Sequence, residues 1–293
     1  MSDYYQSSGK FSVTFVIYFV LVSLLVFPLL GLAYAYCIWY IPFVYINFFI
    51  TLFFGFLVGV LLSIFVIKKG KVRNPALAAL IGAIGAIVAL YFHWASWVDL
   101  VINASEGSDL AGLGIATSNV KILQVFSLAM QPEQLWGLIK EINATGTWGI
   151  KRSDAVNGAF LSFIWAIEFL LVLGVSSFMT YLDGKKPYSE VGDNWHEEVE
   201  LPAFNLIDNK EDLIANITKS KLASFDALNK VADVKTQSHS MVTLYQSKED
   251  KNYISITNKA AKTNSKGKIE FDQDAFLEYL SINKSLCKLL QEK

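Results

Sequence analysis

Glu168 stands near the middle of one apolar run of this chain, and His93 lies near the end of another. An ionisable group held in hydrocarbon is expensive, so each such residue is a functional candidate. A carboxyl and an imidazole at membrane depth could relay protons or ions. A carboxyl that only hydrogen-bonds a neighbouring helix would instead hold the fold, or a second subunit, together. Trp165, one turn before Glu168, offers an indole N–H as a partner. A second set recurs every four residues: Asn47, Thr51, Gly55, Gly59 and Ser63. At that step they form one winding stripe along a helix. Small and polar stripes let helices approach closely in lipid, where apolar tails give no hydrophobic reason to associate. The sharper alternative is a conduction path lined by Asn47, Thr51 and Ser63. Ala79, Gly82, Ala86 and Ala89 form a comparable stripe, with His93 on its face. Tight packing of these two stripes on each other is the expectation.

Outside the apolar runs the chemistry is thinner. Asp193, His196, Glu197, Glu198 and Glu200 include residue types that ligate metals. However, Glu198 and Glu200 alternate as the outer face of a strand would, and no second histidine accompanies His196. A solvated strand face is the reading, with no metal or cofactor expected. His239 reads as a surface residue. The sequence holds no Walker-type glycine loop, G-x-S-x-G, H-E-x-x-H or C-x-x-C pattern, so it is not expected to be an enzyme. The net charge is −1 and the only arginines are Arg73 and Arg152. That balance speaks against a nucleic-acid partner.

These residues have to be positioned by membrane helices. Apolar runs at 11–36, 43–67, 75–98 and 159–182 are each long enough to span. A helix rises about 1.5 Å per residue and the hydrocarbon core is about 30 Å thick. The first run is too long for a signal peptide and lacks a small-x-small cleavage site, so it reads as a retained span. Pro28 removes a backbone donor within it, which predicts a distortion between Leu24 and Pro28. Tyr34, Tyr36, Trp39 and Tyr40 mark headgroup level at its end. Glu168 is the only charged residue within these bounds, about 15 Å deep, and His93 is about 7 Å deep. Ser162, Ala166 and Ser177 lie roughly opposite Glu168 on span four. If that face packs against one neighbour, Glu168 must meet a second neighbour, a cavity or another subunit.

Lys68, Lys69, Lys71 and Arg73 place four cations in six residues after span two. The positive-inside bias then puts that loop, the N-terminus and the C-terminal part in the cytoplasm. Lys185 and Lys186 agree, whereas Lys151 and Arg152 fall on the outer side. Cys37 and Cys287 then lie on opposite sides and cannot pair. The outer segment 99–158 starts with a Gly, Ser and Ala-rich stretch. It continues as short amphipathic helices, one of them entered at Pro132. It is read as a cap, an interfacial helix pair or a re-entrant loop.

The composition changes at Asp183. A strand over 195–207 is expected, then a helix capped by Asn209 and a second helical piece at 222–232. A hairpin of strands at 240–246 and 252–257 follows, then a short strand at 268–271. A final helix is expected from Asp272 or Asp274 through Phe276, Leu277 and Leu280 to Leu290. The fold class is therefore an α-helical integral membrane protein. It has four transmembrane helices over 1–182 and a small cytoplasmic α+β domain over 183–293. The outline is that of a bacterial inner-membrane protein. Expected partners are the lipid bilayer and a second copy or another membrane protein. Two roles follow: a complex-forming scaffold or sensor subunit, or an oligomeric channel or transporter gated by the domain.

Overall fold

A computed structural model of the chain describes residues 4–41, 43–104, 118–146, 156–218 and 228–292. Residues 105–117 of the Gly, Ser and Ala-rich stretch, expected to be flexible over 104–117, the cations Lys151 and Arg152, and residues 222–227 of the second helical piece lie outside these. The chain forms two compact units, Gly9–Lys185 and Met1–Ser8 with Lys186–Lys293.

The first unit holds four helices long and apolar enough to cross a membrane: α1 (Thr14–Tyr40), α2 (Tyr45–Lys68), α3 (Pro75–Ile102) and α6 (Gly158–Lys185). Two short helices, α4 (Ile122–Ala129) and α5 (Pro132–Thr145), come between the last two. Helix α1 widens to a π turn at Val22–Val26, just ahead of Pro28, where the proline leaves the ladder short of a donor. Helix α3 begins at a well-made N-cap. The Asn74 side chain accepts from the Leu77 backbone N–H at 3.1 Å, and Pro75 takes the first helical position. It runs to Ile102, four residues past the expected end, and so takes Asp99 into the helix.

One end of this unit gathers cations. The backbone around Lys10 pairs with the 70–73 loop through Ser12 N–H to Gly70 O at 3.2 Å and Arg73 N–H to Lys10 O at 2.9 Å. At the same end, Gly184 packs on Ala78 and Pro75, beside Lys185. At the far end, residues 118–146 form a cap on α1 and α3. Leu128, Leu135, Ile139 and Ile142 are buried with Ala35, Trp97, Val98 and Leu100. Tyrosine hydroxyls fix the cap. Tyr40 donates to Ser118 O at 2.6 Å, Tyr36 accepts from Val120 N–H at 3.1 Å, and Tyr91 donates to Ala129 O at 2.7 Å.

The second unit is built on antiparallel strands. β3 (Glu197–Glu200), β5 (His239–Gln246), β6 (Asn252–Thr263) and β7 (Ile269–Ile282) lie side by side in that order, and β4 (Phe204–Asn205) pairs with β5. β1 (Tyr188–Ser189) and β2 (Asn194–Trp195) form a small separate ribbon. Helix α7 (Lys210–Thr218) is capped by Asn209, whose side chain accepts from Asp212 N–H at 3.0 Å. Helix α8 (Lys284–Glu292) lays Leu286, Cys287 and Leu290 into a core with Phe204, Leu244, Ile256 and Leu280. The leader joins this sheet: Tyr4 bridges Leu280, and Tyr5 N–H donates to Tyr279 O at 2.9 Å.

Three expectations are corrected here. The strand expected at 195–207 is three short pieces: β2 belongs to the separate ribbon, and Pro202, which cannot donate to a ladder, falls between β3 and β4. Residues 228–232 of the second helical piece are not helical, and Lys230 bridges Phe204 instead. The final helix is only α8, and 269–282 is a strand. Ile254, Ile256 and Asn258 pair with Leu280, Leu277 and Asp274, so β7 carries an extra residue at each step. Two such bulges space the paired positions by three, which imitates a helical period. Tyr279 takes φ 53° at the second bulge, its N–H on the Ser255 hydroxyl at 3.0 Å.

Candidate functional site

Tyr34, Thr51 and His93 meet where α1, α2 and α3 come together. Gly31 permits the approach: a Cβ there would sit 2.7 Å from the His93 backbone nitrogen. One turn on, Tyr34 is buried, 4% exposed, between two rings. It stacks on Phe54 with centroids 4.2 Å apart and lies against His93 at 4.4 Å. Its hydroxyl is 2.7 Å from Thr51 Oγ1, which in turn donates to the Asn47 carbonyl at 2.9 Å. Thr51 has one hydroxyl proton and spends it on Asn47, so Tyr34 is the donor to Thr51. The result is a chain of bonds, Tyr34 to Thr51 to Asn47, with Tyr34 and Thr51 both buried.

His93 is buried. Its ring hydrogen-bonds the Gly31 backbone, and its Nδ1 has no partner among the described residues. Glu168 lies on the packed face of α6, one turn before Val172 on a line continued by Ser176 and Thr180. Its carboxyl is within electrostatic reach of the Tyr34 phenol. Among the described residues no hydrogen bond joins Glu168 to His93 or to Trp165. Trp165 instead meets Trp94 and Trp97 edge to face, at 4.8 and 6.0 Å. Span four therefore turns its acid inward. Ser162 and Ala166, on the other side, are exposed.

The small-residue ladders do not chiefly meet each other. Gly55 and Gly59 face Val172, Ser176 and Met179 of α6, and a Cβ on Gly59 would lie 2.8 Å from that of Met179. Gly82 faces Ser176 and Ser177 of the same helix, and the Ser176 hydroxyl donates to the Gly82 carbonyl at 3.1 Å. Helix α6 is thus clasped by both ladders. Direct contact of spans two and three falls on Gly85, against the Leu62 side chain. Ala86 is fully buried, and Ser63 is buried with its hydroxyl unpaired among the described residues.

Two residues of this interior were not among the sequence candidates. Tyr34 read as a headgroup marker because it shares a cluster with Tyr36, Trp39 and Tyr40, yet its spacing from Gly31 puts it on the packed side. Asp99 was cut off by ending the span at Val98. It is fully buried, and its carboxylate accepts from Lys121 N–H at 2.9 Å and from the Asn103 amide at 3.1 Å. It thereby anchors the entry to α4.

In the second unit His196 turns away from the neighbouring acids. Its ring is buried beside Tyr253, with Nε2 2.8 Å from the Lys251 carbonyl. Burial holds its pKa below the usual value. Glu197, Glu198 and Glu200 are exposed, and Glu198 pairs with Lys186 at 2.9 Å. Among the described residues no group of three or more His, Cys, Asp or Glu is placed to hold a metal. His239 is also corrected. It is 3% exposed and packs on Phe271. No family model matches the sequence, and comparison with curated proteins and with solved structures yields no match.

Proposed function

We propose that this chain is a non-enzymatic, complex-forming subunit of a bacterial inner membrane. Its N-terminus and α+β unit face the cytoplasm, and that unit engages a partner or a second copy. The observation that carries the reading is the double tether. The leader enters the sheet at Tyr4 and Tyr5, so the unit is joined to the membrane helices at Ser8–Gly9 and again at Lys185–Lys186. A unit joined by two covalent connections has less freedom to lose on docking than one joined by a single connection. The grouping of Lys10, Lys68, Lys69, Lys71, Arg73 and Lys185 at one end of the membrane unit supports the cytoplasmic assignment.

A channel or transporter is the second reading, favoured by one observation: Glu168 sits at mid-span without a hydrogen bond among the described residues. Extraction in mild detergent, with light scattering and mass spectrometry of co-purifying chains, tests the first. A complex larger than one chain is expected, kept by Glu168→Gln and weakened by Glu168→Leu. A lone monomer, or ion flux in proteoliposomes that disappears in Glu168→Gln, would transfer the assignment to the second.

A further inference from the structure

A cavity of about 630 Å³ lies between α3, α5 and α6. That is within the range of about 300–1,000 Å³ typical of small-molecule sites. Helix α3 contributes one face, from Ile87 to Trp94, and α6 another, from Ser162 to Phe169. Each stretch covers about 10 Å along its helix. Ser162 and Ala166 leave room here, since both are small and exposed. The third wall is α5, through Leu135 and Ile139 and then Lys140 and Asn143.

The lining is graded. Ile87 and Phe169 mark the deep end and are apolar. Lys140, Asn143 and Ser162 sit at the capped end. Two donors there are unused. Among the described residues Lys140 has no carboxylate partner, and its ammonium stands over the Trp136 ring at 5.5 Å. The Asn143 side-chain nitrogen is buried without a partner among the described residues. A cation and an amide N–H at the mouth of an apolar slot match a phosphate followed by a hydrocarbon chain. In a bilayer such a slot takes lipid tails in any case, so its donors decide which headgroup stays.

We propose that this cavity binds one anionic phospholipid, its phosphate on Lys140 and Asn143 and an acyl chain along the faces of α3 and α6. The test is native mass spectrometry of the full chain in mild detergent, with phosphatidylglycerol or phosphatidylcholine added. One phosphatidylglycerol should be retained per chain, in preference to phosphatidylcholine. Lys140→Gln should lower that retention about tenfold, as loss of a charge-assisted bond would. Lys140→Arg should preserve it, and Lys121→Gln, a cation of the same cap outside the cavity, should leave it unchanged. Ala166→Phe should fill the slot and abolish retention. Circular dichroism confirms that each variant is folded, and Lys140, being exposed, can be replaced without disturbing the core. Equal retention of the two lipids overturns the proposal, as does undiminished retention in either Lys140→Gln or Ala166→Phe.

Discussion

The bond from Tyr34 to Thr51 ties α1 to α2 between two buried side chains. Interhelical side-chain bonds in membranes average about 0.6 kcal/mol and reach about 1.7. Tyr34→Phe keeps the ring stacked on Phe54 and His93, so its cost should be about 1 kcal/mol, read from reversible unfolding in mixed micelles. Thr51→Val should cost a similar amount. The double variant should cost less than the sum, because one bond is removed twice; strict additivity would show that the pair is not coupled. His196 gives a pH signature in the other unit. Its folded pKa lies below the usual value of about 6.5, so the unfolded chain takes up a proton first as pH falls. Its contribution is therefore complete above about 6.5 and is lost as pH drops below it. Hydrogen exchange of β5 and β6 amides should show that loss between about pH 7 and 5.5. His196→Gln, which can still donate to the Lys251 carbonyl, should flatten it. Residues of this kind were only half legible in the sequence. Glu168, His93, Thr51 and Asn47 stood out because polar groups in apolar runs are rare. Tyr34 did not, because a tyrosine near a span end has an ordinary explanation at the headgroups.

At the scale of elements, α6 is the helix that the others are shaped to receive. Gly82 is the closest approach. A Cβ there would meet the Thr180 hydroxyl and lie 2.7 Å from the Ser177 Cα, so the neighbouring backbone itself would have to move. Gly82→Val should destabilise the membrane unit by about 1–3 kcal/mol, the usual cost of overpacking. Gly174, on the same helix pair but with nothing within 4 Å, is the control. Gly174→Ala should be neutral or gain up to about 1 kcal/mol from helix propensity. Equal losses in the two variants would mean that helix stiffness, not contact, is what these glycines govern. The four spans were legible because about twenty apolar residues in a row leave the backbone little choice but a helix. The partner of each stripe was not, since periodicity gives a face but not what lies across from it. β7 was misread for a related reason. Periodicity identifies a strand only while its ladder is regular, and two bulges replaced the step of two by a step of three.

At the scale of the whole molecule, orientation is the property on which the cytoplasmic reading rests. An even number of spans returns the chain to its starting side, and the leader strand within the C-terminal sheet requires the same thing by an independent route. The side proposed here rests on charge. Six cations and Asp183 stand at one end of the membrane unit, against Asp99, Lys121, Glu133, Lys140 and Glu141 among the described residues of the other. A mixed end can face outward, whereas translocating a cluster of lysines opposes the usual bias. Single cysteines test this on a background lacking the two native thiols, Cys37→Ala and Cys287→Ala. Gln131 is exposed between α4 and α5, and Ser265 is exposed in the turn between β6 and β7. A membrane-impermeant maleimide should label Gln131→Cys in intact cells. It should reach Ser265→Cys only after permeabilisation. The opposite pattern would invert the assignment and place the proposed docking unit outside. Labelling of both sites in intact cells would contradict the span count, because an odd number of crossings would then separate the leader from the sheet it joins.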